Sequence, residues 1–234
     1  MADRVLIVNA DDFGRSPGVN RGVIQAHEEG IVTSATLMVR WPAAEDAAEY
    51  ARSHSLSVGL HLDLGEWEHR DGEWHIRYRV LDDDSEEAVA EEIRRQLERF
   101  EALVGTPPTH LDSHQHVHLR DPVRTAVWRV AHRLGITVRE LTPGISYVGF
   151  HGRGPNGIPI PDAISAEALV RTIEGLAPGV TELGCHPATE DDHPSAYNRE
   201  RLRELAALCD PRVADAIDRC EVALRSFDDL LERS

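Results

Sequence analysis

Short apolar runs alternate with amphipathic stretches along most of the chain, and each apolar run has the length of a strand. The runs that predict strands are 5–8, 34–39, 57–62, 109–113, 136–139 and 180–185. The stretches that predict helices are 17–29, 43–53, 85–104, 122–134, 166–176 and 198–232. This alternation is typical of repeated βα units on a parallel sheet, so the predicted fold class is α/β.

Two polar stretches interrupt the alternation. Residues 65–84 include Trp67, the pair Asp71-Gly72 and three consecutive aspartates, and they lack a helical or strand period, which predicts a long surface excursion. Residues 142–162 are rich in glycine and proline and predict a second long loop. Long loops in compact domains are often lids or substrate-contacting segments, so both are candidates for contact with a substrate.

Two adjacent carboxylates, Asp11 and Asp12, follow the first apolar run and precede Phe13-Gly14. Successive side chains of a strand point to opposite faces, so one of the two would enter the sheet. Burying an unpaired carboxylate there is costly. A metal ion removes this cost, because it takes one carboxylate as a ligand and leaves the other free to move a proton. A solvated turn or a helix N-cap explains this segment alone equally well.

A histidine-rich segment accompanies the fourth apolar run. It contains His110, His114, His116 and His118, and Asp112 lies between the first two. In an extended segment these residues share one face, which indicates a metal site with its supporting residues. Because a catalytic metal usually keeps about three protein ligands and an open position, not all four histidines bind it. A solvated histidine run is the alternative.

Two further apolar runs end in a histidine. His61 lies near the end of one run, and His186 follows another, just before Pro187, which stops strand pairing. Either histidine alone would more often be a buried structural residue than a ligand. Together with the paired aspartates and the histidine-rich segment, however, they place polar groups at four strand ends. The C-terminal strand ends of a (β/α) barrel converge on one face, where active sites lie, so we expect such a barrel, either complete or distorted.

Composition narrows the choice of partner and compartment. The 234 residues, 41% of them hydrophobic, predict a single catalytic domain over 1–234. A net charge of -16 and a pI near 5.2 argue against a nucleic-acid partner, which requires clustered Lys and Arg. We find neither a secretory signal nor an apolar stretch of about 20 residues, so we expect a soluble cytoplasmic protein with no membrane partner. Three widely spaced cysteines fit a reducing compartment.

Five motifs, in order and spanning nearly the whole chain, resemble those of the YdjC-type carbohydrate deacetylases, a family that includes chito-oligosaccharide deacetylases. The motifs lie at 7–14, 30–34, 59–61, 108–118 and 185–188. The first and fourth are highly specific, whereas the third and fifth would be weak alone. The resemblance implies a barrel of the polysaccharide-deacetylase type.

Carried over residue by residue, the resemblance implies that Asp12, His61 and His114 hold one divalent metal ion. It further implies that Asp11 is the catalytic base and His186 the general acid. Two imidazoles with one carboxylate suit Zn²⁺, whereas the family resemblance implies Mg²⁺ as a frequent assignment. Both metals therefore stay open.

Three more residues are candidates for supporting roles. His116 and His118 are expected beside the metal ligands or in the substrate site. Arg139, at the end of the run 136–139, could orient Asp11 through a charge-assisted hydrogen bond, although a surface position explains this arginine equally well.

The chemistry of amide hydrolysis agrees with these assignments. It needs an activated water, a group that stabilises the tetrahedral oxyanion, and a proton for the departing amine. We therefore predict a metal-dependent enzyme that removes the N-acetyl group from an acetylated amino sugar, with a short chito-oligosaccharide as the expected small-molecule partner. Two alternatives stay open: another metal-dependent hydrolase, either a phosphoesterase or a cyclic amidohydrolase, and a non-catalytic protein that binds metal or carbohydrate. A homo-oligomer is also left open.

Overall fold

A curled sheet of parallel strands forms the centre of the computed structural model, which describes residues 3–70, 72–83, 85–154, 157–195 and 197–231. The strands are β1 (Arg4–Phe13), β2 (Ser34–Leu37), β3 (Ser57–Leu62), β4 (Gly65–Arg70), β5 (Glu73–Arg79), β6 (His110–Ser113), β7 (Thr137–Val138), β8 (Ile145–Gly149), β9 (Gly179–Cys185) and β10 (Ala223–Leu224). All pairings in the main sheet are parallel, and its order is β7-β6-β3-β2-β1-β9-β8. Short β10 pairs with the start of β1.

Helices connect the strands. They are α1 (Pro17–Glu28), α2 (Ala44–Ser53), α3 (Glu86–Val104), α4 (Val123–Leu134), α5 (Ala166–Glu174), α6 (Asn198–Leu208), α7 (Pro211–Arg219) and α8 (Asp228–Leu231), with 3₁₀ turns at His114–Leu119 and Pro161–Ile164. Ser16 caps α1 by accepting a hydrogen bond from Val19 N at 3.2 Å, and Ser85 caps α3 in the same way. Within the described ranges, none of these helices combines the length and apolar character of a membrane span.

Pairing along the described strands leaves β7 and β8 as the two edges, so the sheet curls without closing. This confirms the predicted α/β class and a distorted, incomplete (β/α) barrel. The strands at its centre are buried along nearly their whole length, as expected where both faces of a parallel sheet are covered. Leu6, Ile7 and Val8 of β1, for example, have no exposed surface. Burying each such side chain contributes about 1.5–3 kcal/mol.

The segment 65–84 reaches the surface as predicted, since Trp74 is 62% exposed, but the prediction that it lacks strands is wrong in its described part. Strands β4 and β5 form an antiparallel hairpin there, although Asp71 and Asp84 lie outside the described residues. Strand-forming residues pair across it, as Trp67 does with Ile76, and Tyr78 anchors the hairpin by donating a hydrogen bond to Asp63 Oδ1 at 2.9 Å. Gln115 fixes it from the other side, because its side-chain amide accepts from Trp67 N and donates to Trp67 O.

Two other expected segments contain strands that the pattern did not predict. The loop at 142–162 includes β8, which pairs with β9 along its whole length. The helical region at 198–232 instead holds two helices, β10 and the short α8, while Glu232 lies outside the described residues. Both strands are short, five residues in β8 and two in β10, so tertiary pairing rather than local periodicity determines them.

Gly22 of α1 allows the helix to pack directly on the segment that follows β9. A Cβ at this position would lie 2.3 Å from Ala188 Cα, so either the helix or the backbone after His186 would have to move. Gly22→Ala is therefore expected to lower the free energy of unfolding by about 1–3 kcal/mol, despite the better helix propensity of alanine. Urea unfolding measures this change, and a midpoint at or above that of the wild type would contradict the close packing.

Candidate active site

Most of the predicted site residues line one cavity of about 380 Å³ at the carboxyl ends of the strands. The lining residues are Asp11, Asp12, His61, His114, Gln115, His116, Tyr147, Gly149, His151, His186, Ser195, Tyr197 and Arg201. The two remaining predicted residues, His118 and Arg139, lie buried beside this cavity rather than in its lining. The structure thus brings the strand ends together as the barrel geometry requires.

Asp12 enters the cavity because the backbone of β1 departs from regular strand geometry at this residue. Its φ of 64° is in the left-handed region, and the pairing with β2 shifts register between Ala10 and Phe13. The break therefore begins at Asp12 itself, and the strand ends at Phe13. Asp12 Oδ1 lies 3.0 Å from His114 Nδ1 and 3.3 Å from His61 Nε2. This strained conformation directs the carboxylate toward two imidazoles.

His61 has the arrangement that a metal-binding imidazole needs. Its Nδ1 lies 2.7 Å from Asp112 Oδ1, while its buried Nε2 lies 3.3 Å from Asp12 Oδ1 and makes no well-formed hydrogen bond with the described residues. A proton on Nδ1, held by the carboxylate, leaves the Nε2 lone pair available to a metal. Burial disfavours the charged imidazole, but Asp112 and Asp12 outweigh it and raise the pKa of His61 to about 10. This site therefore attracts a cation.

Two overlapping sets of residues have the spacing of a metal site. Ligand atoms of Asp12, His61 and His114 lie within 4.8 Å of one another, as do those of Asp11, His61 and Asp112. In the second set, the cation between the two carboxylates is the guanidinium of Arg139, which lies 2.6 Å from Asp11 Oδ2 and 2.8 Å from Asp112 Oδ2. The first set therefore fits a divalent metal better.

Asp11 is held by a different partner from Asp12. Arg139 donates two hydrogen bonds to the Asp11 carboxylate, at 2.6 and 2.7 Å, and Asn9 Nδ2 donates a third at 2.9 Å. Burial favours the neutral acid, but the charge and hydrogen bonds of Arg139 outweigh it and lower the pKa of Asp11. Asp11 is therefore an ionised acceptor beside the metal-binding set.

His186 lies at the end of β9, between two carboxylates. Its Nε2 is 3.7 Å from Asp11 Oδ2, and its buried Nδ1 is 3.7 Å from Glu204 Oε2. Glu204 also accepts hydrogen bonds from the His186 backbone N–H and the Tyr197 hydroxyl, which fix its position. The imidazole thus lies between Glu204 and the cavity, with its Nε2 nearest Asp11.

His116 and His118 point to different parts of the structure and do not share one face. The reason is that residues 114–119 form a 3₁₀ turn and not the extended segment we expected. His118 contacts Ser113 Oγ through Nδ1 at 2.6 Å and the Arg139 carbonyl through Nε2 at 3.1 Å. It therefore supports the backbone that carries Arg139. His116 lies in the cavity wall, with its Nδ1 3.0 Å from Glu140 Oε1.

His110 lies below the cavity and is a structural residue. Its ring stacks on Phe227 at 3.7 Å, and its Nε2 lies 2.9 Å from Asn9 Oδ1. Burial is the main reason that the pKa of His110 falls to about 3. The native state therefore keeps this imidazole neutral at pH values where the unfolded chain protonates it.

Acid should consequently destabilise the protein through His110. Because the native pKa is lowered, unfolding takes up a proton below pH 6.5, and stability falls by at most about 1.4 kcal/mol per pH unit from there toward the native value. His110→Gln is expected to reduce this pH dependence by about one proton. Urea unfolding between neutral pH and pH about 4 measures it, with the exposed His132→Gln as the control. Equal slopes in all three proteins would contradict the role of His110.

Several important side chains were missed by sequence reasoning. Arg201 of α6 is buried and contacts Asp12 Oδ2, and Arg15 pairs with Glu66 of the hairpin beside His114. Burial alone would raise the pKa of Asp12, but Arg201 and His114 have the larger effect. The pKa of Asp12 is therefore well below its usual value, and its carboxylate is ionised. Arg15 follows Asp12 by three residues and could have been noticed. Arg201 lies in an ordinary amphipathic helix and carries no such signal.

Comparison with known proteins supports the same reading of the motifs. A family model described as "YdjC-like protein" matches residues 5–219. A carbohydrate deacetylase from Geobacillus stearothermophilus is 36% identical, covering 92% of this chain and 94% of the relative. A chitooligosaccharide deacetylase from Serratia marcescens is also 36% identical, covering 97% of this chain and all of the relative.

Solved structures share the fold. A protein from Enterococcus faecalis V583, described provisionally as a cellobiose-phosphate cleavage protein, is 25% identical, with a TM-score of 0.77 over 97% of this chain and 98% of its own. A family 4 carbohydrate esterase from Streptomyces lividans has a TM-score of 0.59 at 14% identity, covering 96% of this chain and 93% of its own, which shows a common fold alone. The family match and the curated relatives confirm the resemblance seen in the motifs: the chain belongs to the YdjC-like protein family.

Proposed function

We propose that the protein is a metal-dependent deacetylase that hydrolyses the N-acetyl group of a short chito-oligosaccharide. The observation that carries this proposal is the pairing, in one cavity, of a metal-binding set with two separate proton-transfer groups. The metal-binding set is Asp12, His61 and His114, and the two proton-transfer groups are Asp11 and His186. Relatives named carbohydrate deacetylase and chitooligosaccharide deacetylase support the choice of substrate class.

Asp12, His61 and His114 would hold the metal, because their ligand atoms converge and the Nε2 of His61 makes no well-formed hydrogen bond with the described residues. A divalent ion bound there would supply a Lewis acid that polarises the acetyl carbonyl and increases the acidity of water. Two imidazoles and one carboxylate favour Zn²⁺ or another transition ion over Mg²⁺, which prefers oxygen ligands. Arg201 keeps the Asp12 carboxylate ionised and oriented for this role.

Asp11 would accept the proton of the attacking water. Its carboxylate is held by Arg139 and lies outside the metal-binding set that we favour, so it keeps a lone pair for the proton. Arg139 in turn prevents the buried carboxylate from becoming protonated, at the cost of making it a weaker base. Asp11 is therefore ready to accept a proton throughout the neutral range.

His186 would donate a proton to the departing amine. Glu204 lies behind its Nδ1, while its Nε2 faces Asp11 and the cavity, so the ring presents one nitrogen to the substrate. An imidazole is suited to this step because histidine is the side chain that most often acts as a general acid or base. A protein that only bound metal or sugar would need neither Asp11 nor His186, which argues against the non-catalytic alternative.

Acetate release from N,N'-diacetylchitobiose tests this proposal. Protein stripped with a chelator is compared before and after reloading with Mg²⁺, Zn²⁺, Mn²⁺ or Co²⁺, and metal content is measured in each sample. We expect acetate only after reloading, and the most active ion identifies the metal. Stoichiometric metal binding without acetate release from this substrate or from longer chito-oligosaccharides would contradict the deacetylase function.

A further inference from the structure

Glu182 is a buried carboxylate beside the candidate active site that the mechanism above does not use. It lies on β9, four residues before His186, the proposed general acid that follows the end of this strand. Its side chain is only 2% exposed. An ionisable group so deeply buried needs a strong partner.

That partner is Arg139. Glu182 Oε1 accepts a hydrogen bond from Arg139 Nε at 2.6 Å, while the two terminal nitrogens of the same guanidinium bind Asp11. Because the guanidinium is planar, a fixed Nε determines where its terminal nitrogens point. Glu182 thus contacts one side of the guanidinium whose other side holds the candidate base.

Three carboxylates share the single positive charge of Arg139, and Arg139 does not stabilise them equally. Arg139 is shared by Asp11 of β1, Asp112 of β6 and Glu182 of β9, and the Tyr147 ring of β8 lies 4.9 Å from its guanidinium carbon. Burial and the two aspartates outweigh Arg139 and raise the pKa of Glu182 to about 7. Glu182 therefore has the least firmly held negative charge of the three carboxylates.

We propose that Glu182 is a positioning residue for the candidate base, which turns Arg139 toward Asp11 and controls how strongly Arg139 stabilises the Asp11 carboxylate. This inference rests on the proposed function. When Glu182 is ionised, it draws part of the Arg139 charge away from Asp11 and leaves Asp11 more basic. When Glu182 is neutral, Arg139 stabilises the Asp11 anion more fully, and Asp11 becomes a weaker acceptor for the water proton.

Two substitutions separate the orienting effect from the charge effect. Glu182→Gln retains an oxygen that can accept from Arg139 Nε and so mimics the neutral state, whereas Glu182→Ala removes the acceptor. The matched control is Glu92→Gln, because Glu92 is also a buried carboxylate paired with an arginine, Arg40, at 3.2 Å, and lies on α3 outside the cavity.

The kinetic measurement is kcat and KM for acetate release per bound metal, at pH values on both sides of neutrality. Relative to the wild type, Glu182→Gln is expected to have similar kcat at pH about 6 and about tenfold lower kcat at pH about 8, with KM unchanged. Glu92→Gln should follow the wild type at every pH. If the ratio of the kcat of Glu182→Gln to the kcat of the wild type does not vary with pH, Glu182 has a merely structural role and the proposal is overturned.

Crystal structures of both Glu182 variants provide a test that does not depend on activity. We expect Arg139 to keep both hydrogen bonds to Asp11 in Glu182→Gln and to lose at least one in Glu182→Ala. An unchanged Arg139 in Glu182→Ala would overturn the orienting role even if the enzyme is active. If the wild type releases no acetate, the deacetylase function fails, while these structures still decide whether Glu182 positions Arg139.

Discussion

Replacing Asp11 by asparagine is expected to lower kcat by about 10²- to 10⁴-fold while the metal stays bound. The substitution removes the acceptor for the water proton and spares Asp12, His61 and His114. The fold should survive, because the amide oxygen of asparagine can still accept from Arg139. Arg139 also keeps its ion pairs with Asp112 and Glu182, at 2.8 and 2.6 Å.

Metal content and acetate release, measured on the same preparation, test this expectation. Asp63→Asn is a matched control, because Asp63 is equally buried but lies outside the cavity, where it anchors the hairpin through Tyr78. The control should retain both metal and activity. Loss of metal from Asp11→Asn to the same extent as from a ligand variant would contradict the separate roles of the two aspartates.

The residues that meet at the strand ends could be predicted from the sequence, because parallel βα units impose a simple geometry. Once alternation indicates such a barrel, polar residues that follow apolar runs must converge at one face, whatever the details of the helices. Asp11, Asp12, His61, His114 and His186 all follow this rule and line one cavity. Their individual roles remain predictions, since convergence alone does not distinguish a ligand from a base.

The parts that could not be predicted depend on contacts between distant segments. Arg201 reaches Asp12 from a helix 189 positions later in the chain, and Glu204 reaches His186 from the same helix. Nothing in the local pattern of α6 distinguishes these side chains from exposed ones. The turn at 114–119 was also missed, because positive φ values at Gln115 and His116 are maintained by tertiary contacts and not by local propensity.

Asp12→Asn is expected to abolish tight metal binding and also to destabilise the metal-free protein. The metal affinity should fall by more than about 100-fold, because a charged ligand is replaced by a neutral amide. The loss of stability has a separate cause. Asp12 is the only carboxylate that the described part of the chain places on Arg201, whose side chain is 2% exposed. Leaving this guanidinium buried without a negatively charged partner costs about 3–5 kcal/mol.

A second substitution separates the two effects. Arg201→Met in the Asp12→Asn background removes the unpaired charge and fills its space with an apolar side chain, so it should restore most of the lost stability. It should not restore metal binding, because the carboxylate is still absent. Calorimetric metal titration and urea unfolding of the metal-free proteins measure the two quantities independently. Stability that stays low in the double variant would contradict the ion-pair explanation, and stoichiometric tight binding by Asp12→Asn would remove Asp12 from the metal-binding set.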